Sequence, residues 1–121
     1  MSTFKSGVAA MAAMMLAATS AQGAYFTYAQ FEQLSVNARA TYIAGAYDAY
    51  TGLHDADEAS TRLQQHRQSC ISNARMTNVQ LAENVAAFAR AHPQVQAQRN
   101  VLPALIGYFN AACGYPPGES K

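Results

Sequence analysis

Apolar positions recur at helical spacing along the chain, and no useful length alternates with the two-residue period of a strand. Ser35 is a good N-cap. Val36, Ala40, Ile43, Tyr47 and Tyr50 after it mark one face of a helix running to about Tyr50, closed by Thr51-Gly52. A short helix from about Tyr28 precedes it, after an extended start at Ala24. Asp55 and Glu58, three apart as in a capping box, open a more polar helix toward about Gln68, with Ala56, Leu63 and Cys70 as its inward line. Thr77 and Gln80 repeat that arrangement more clearly. The helix they open carries Leu81, Val85 and Phe88 on one face, with Ala82, Ala86 and Ala89 beside it. It should stop at His92-Pro93, because the residue before a proline resists helical geometry.

The last helical region runs from about Pro93 to Ala112. Leu102, Ile106, Phe109 and Cys113 form one stripe, and Val101, Leu105, Tyr108 and Ala112 form its neighbour. So wide an apolar arc marks the central helix of a domain. Pro103 either kinks one continuous helix or sits in the first turn of a fresh one capped by Asn100. The pattern predicts an all-α fold, a small single-domain bundle of four to five helices with one disulfide.

Two positions in the first long helix interrupt its pattern. Gly45 costs about 1 kcal/mol relative to alanine in a helix interior, which predicts that another backbone approaches closely there. Asp48 stands among apolar neighbours and reads as a structural hydrogen-bonding residue that would need an arginine or tyrosine donor if buried.

The N-terminus has a different character. Lys5 supplies a positive start, Val8 to Ala18 is apolar and uncharged, and Thr19 to Gly23 offers small residues for cleavage after Ala21 or Gly23. The apolar run is shorter than the roughly 20 residues needed to span a bilayer. Residues 1–23 are therefore expected to be an export signal. Residues 24–121 are expected to be one helical domain, ordered from about 26 to 113, that lies in the periplasm and leaves the membrane after cleavage.

Beyond residue 23, six arginines and Lys121 face seven acids, so this part is close to neutral and offers no basic surface for nucleic acid or anionic lipid. Cys70 and Cys113 are an even pair in an exported chain, which reads as one disulfide; two buried thiols are the alternative. Closing the loop between them stabilises the fold by about 4 kcal/mol on chain-entropy grounds.

Candidate chemistry is sparse. In His54-Asp55-Ala56-Asp57-Glu58, counting a calcium loop from Asp55 puts Ser60 at the sixth position and His66 at the twelfth, where glycine and glutamate belong. Acidic residues at a helix N-terminus account for the cluster. His66 and Cys70, four apart, face the same way on a continuous helix and could form a thiolate–imidazole pair, which a disulfide would silence. His92 sits where a helix C-terminus favours its charge. The chain is expected to be no enzyme and to hold no metal or cofactor. Seven tyrosines and no tryptophan leave Tyr25, Tyr28, Tyr42, Tyr47 and Tyr50 as candidates for an interface; a core role is the alternative.

Three ordered pieces resemble one family: Tyr42-Ile43-Ala44-Gly45-Ala46-Tyr47-Asp48-Ala49, then Cys70-Ile71 followed by Gln80, then Phe88-Ala89-Arg90-Ala91-His92-Pro93 leading to Cys113. The set is similar to the Rap/Tai family of type VI secretion immunity proteins, over about Phe26 to Cys113. Ser72 stands where that family has a proline, and Gly114-Tyr115-Pro116-Pro117 follows the closing cysteine. The resemblance implies a small exported helical protein, a homodimer in most members. Its implied partner is a peptidoglycan-degrading effector, which it keeps from the cell's own wall. The alternative function is that of a periplasmic stress or holdase protein, or a helical domain of another role.

Overall fold

The protein is described by a computed structural model over residues 26–52 and 57–119; the expected export signal lies outside the described residues. Six helices follow one another there: α1 (Tyr28–Gln33), α2 (Val36–Gly52), α3 (Glu58–Asn73), α4 (Asn78–Ala91), α5 (Pro93–Gln96) and α6 (Leu102–Cys113). The fold is all-α, as the periodicity predicts.

Local chemistry sets most of the boundaries. Thr27 with Gln30 and Thr77 with Gln80 form capping boxes at the starts of α1 and α4. The Ser35 hydroxyl accepts from the Ala38 N–H at the start of α2. Asp57, rather than Asp55, caps α3: its carboxylate accepts from the Ser60 N–H at 2.8 Å and the Ser60 hydroxyl at 2.6 Å. These bonds hold the Asp57 carboxyl below its ordinary range.

α3 continues to Asn73, past the expected stop near Gln68, and ends in a Schellman turn. The Met76 N–H reaches the Ile71 carbonyl and the Arg75 N–H reaches that of Ser72. Arg75 takes the left-handed conformation at φ 50°, a position that favours glycine. The open choice at Pro103 resolves as a fresh helix. A continuous helix would drive the ring into the carbonyl four residues earlier, and the chain instead breaks after the one-turn α5. Pro103 falls in the first turn of α6, with Asn100 Oδ1 accepting from the Leu102 N–H.

The core comprises Tyr28 and Phe31 of α1, Ile43 of α2, Leu81, Ala82, Val85, Ala86 and Ala89 of α4, Val101, and Ala104, Leu105 and Phe109 of α6. α6 touches α2, α3, α4 and α5, the central place its apolar arc predicts. The alanines of α4 present a flat face that lets α2 pack closely, and Arg39 Nη2 meets Glu83 Oε1 at 2.7 Å across that seam. α1 is tied down through the Tyr28 hydroxyl, 3.0 Å from Glu32 Oε1 and 3.1 Å from the Ala86 carbonyl. α3 adds no apolar side chain to the fully buried set; its buried residue is Arg67.

Gly45 is corrected by the structure. It is exposed, and a Cβ there would meet nothing within 4 Å, so no backbone approaches it. The close approach occurs at Gly107, where a Cβ would come within 2.7 Å of Phe88 Cε1.

Candidate functional site

A cluster of buried and half-buried polar groups lies where α3 meets the C-terminal ends of α2 and α6. Cys70 and Cys113 are joined there by the expected disulfide, with Cα atoms 5.9 Å apart, so the described residues hold no free cysteine. One turn earlier on α3, the His66 Nε2–H donates to the Cys113 carbonyl at 2.8 Å. His66 therefore serves the end of α6 rather than a thiol, and the conceivable thiolate–imidazole pair has no thiol in it.

Arg67, 3% exposed, fills the space between these contacts. Its Nη1 donates to the Tyr50 hydroxyl at 2.9 Å and its Nη2 to Asn110 Oδ1 at 2.7 Å. Its guanidinium carbon lies 5.7 Å from the Tyr50 ring centre and 5.8 Å from that of Phe109. Nε is buried without a hydrogen-bond partner, and no carboxylate pairs with Arg67 among the described residues. A buried cation without a counter-ion needs another source of negative potential. The Tyr50 and Asn110 oxygens and the faces of the Tyr50 and Phe109 rings supply it. His66 thus serves the last carbonyl of α6, and Arg67 the Asn110 side chain about one turn before it.

The tyrosines divide by depth. Tyr28 is a core residue, not a surface one; burial, first, and then its contact with Glu32 push its hydroxyl up to about 12. Tyr42 is half-buried against the rings of Phe26 and Phe31, with centroids at 5.1 and 5.9 Å. Tyr47 stacks obliquely on Phe109 at 5.7 Å, and burial followed by the nearby Asp48 raises its hydroxyl. Tyr50 holds Arg67. Tyr25 lies outside the described residues. The α2 tyrosines are half-buried and rim the core, which is the alternative weighed for them. Among the described residues, the large apolar side chains left exposed are Phe26, Val36 and Val79.

Asp48 is also corrected: it is exposed, and its main-chain carbonyl accepts from the Thr51 hydroxyl. Being exposed, it needs none of the donors that burial would have required. His92 caps α4 as expected, with Nδ1–H donating to the Phe88 carbonyl at 2.7 Å and its ring stacked 4.0 Å from that of Phe88; Pro93 starts α5 behind it. Of the acidic stretch after Tyr50, Asp57 and Glu58 open α3, while His54, Asp55 and Ala56 lie outside the described residues. Among the described residues no three His, Cys, Asp or Glu side chains are gathered as a metal site.

Arg67 is the residue that sequence reasoning missed, and a signal for it existed. A buried line through Leu63 and Cys70 passes over position 67 between them.

These features define a small all-α domain whose middle helix is stapled to its last one by a disulfide, a bond consistent with an oxidising compartment. No helix among the described residues is long and apolar enough to cross a membrane. No protein family, curated protein or solved structure matches the chain.

Proposed function

We propose that this chain is a periplasmic immunity protein of the Rap/Tai kind, which binds a peptidoglycan-degrading type VI effector and blocks it without chemistry of its own. The observation that carries the reading is the pairing of Cys70 with Cys113, the two cysteines of the resembling motifs. The third motif supports it as well: Phe88 to His92 forms a helix end closed by a ring stack, with Pro93 immediately after. An inhibitor of this class works as a rigid body whose surface fits an enzyme cleft, so a stapled core suits it. The one nucleophile the sequence offered, Cys70, is held in the disulfide, which favours binding over catalysis.

The test is to co-express the exported protein with the secreted wall hydrolase encoded beside it. A stoichiometric complex on size exclusion and loss of the hydrolase's activity on purified peptidoglycan are the expected results. No adjacent hydrolase, or undiminished wall cleavage at equimolar protein, overturns the proposal.

A further inference from the structure

We infer that α3 is a redox-latched flap: reduction of Cys70–Cys113 releases this helix while the rest of the bundle stays folded. The inference is independent of the immunity reading and rests on how unevenly α3 is held. The buried apolar cluster is built from α1, α2, α4, α6 and Val101, and α3 gives it none of its fully buried members. Ile71, half-buried near the end of α3, is the side chain of that helix packed against the cluster. Among the described residues its other ties include the disulfide, the His66 bond to the Cys113 carbonyl, the two Arg67 bonds and its ring contacts, and Arg62 reaching Glu119 in the tail.

These polar ties differ from an apolar seam in one respect. Once separated, their groups recover hydrogen bonds from water, so they resist opening less than an apolar seam does when the covalent tie is gone. Arg67 also regains full hydration of a charge that is buried without a carboxylate. The α2–α4–α6 seams contain none of the severed bonds. Opening therefore stops at α3 and uncovers the faces of Tyr50 and Phe109 that the Arg67 guanidinium now covers.

The chemistry is thiol–disulfide exchange with a dithiol, small or carried by an oxidoreductase. Both cysteines are partly accessible. A dithiol thiolate attacks one sulfur and expels the other cysteine as thiolate. The second thiol then closes on the mixed disulfide. Two electrons pass to the cysteine pair and the dithiol leaves oxidised.

Hydrogen exchange read by mass spectrometry on the exported protein, with and without dithiothreitol, tests this. In the reduced protein, amides from Thr61 to Asn73 should exchange at least about tenfold faster, while those around Val85 to Ala89 keep their protection. A dye that fluoresces on apolar surface should brighten in step. A Cys70→Ser/Cys113→Ser variant should show the same split without reductant. Unchanged protection of α3 in the reduced protein overturns the inference, and so does loss of protection in α3 and α4 together.

Discussion

Glycine 107 and glycine 45 are the same residue in the interiors of two helices, and replacing each by alanine should move stability in opposite directions. Alanine is favoured over glycine within a helix by about 0.8–1.0 kcal/mol. At Gly45 nothing lies within 4 Å of the new Cβ, so Gly45→Ala should realise the whole gain. At Gly107 the Cβ would stand 2.7 Å from Phe88 Cε1 and 2.9 Å from Cζ, well inside the 3.5–4.0 Å of an ordinary carbon contact. The half-buried ring is stacked on the His92 imidazole 4.0 Å away, itself held by the bond from Nδ1 to the Phe88 carbonyl, so yielding to the new methyl group disturbs that stack. Overpacking of this kind costs about 1–3 kcal/mol, which exceeds the helix gain. Gly107→Ala should thus lose about 1 kcal/mol net, leaving a gap of about 2 kcal/mol between the two variants. Urea unfolding of the oxidised protein, followed by circular dichroism, measures both. Adding Phe88→Leu to Gly107→Ala should recover part of the loss. Equal stabilisation by the two alanines, or no recovery with leucine, would refute the packing argument.

Arg75→Gly should stabilise the protein by about 1 kcal/mol, seen as a higher urea midpoint, because the αL position after α3 strains a residue with a Cβ. Arg67→Ala should cost about 3 kcal/mol in the same assay, since it removes the donor to Asn110 Oδ1 and opens a void beside Phe109. In alkali, Tyr28 is raised to about 12 from an ordinary 10.0, so its folded form holds the proton longer than the unfolded one. That stability is intact below pH 10 and fades as pH climbs through 12, and spectrophotometric titration should find one phenol ionising late.

The helices that sequence predicted well are those that begin with a side-chain cap and end at a proline or glycine. Thr77 with Gln80, and His92 with Pro93, bound α4 by chemistry confined to a few neighbouring residues, and such chemistry is written in the local sequence. α3 ran longer than expected because its stop uses Arg75 where a glycine would have flagged the turn. The site was less legible for a related reason. Arg67 reads as one of several polar residues on a polar helix, and only Tyr50, Phe109 and Asn110, brought beside it by tertiary packing, make a guanidinium without a carboxylate tolerable inside. Gly45 and Gly107 show the same limit. Both sit in helix interiors, and which one a neighbour leans on depends on Phe88, nineteen positions before the second. The tyrosines could be sorted into core and rim only once the rings of Phe31 and Phe109 were placed against them.

The sulfur pairing spans 43 positions and ends in the final helix. A chain emerging from its amino end therefore shows a single unsatisfied thiol throughout the interval before α6 appears. During that interval Cys70 has no legitimate mate and is open to capture by any foreign disulfide it meets. Faithful maturation of this small domain thus depends on timing as well as on affinity, and an isomerase that undoes such early captures would raise its yield.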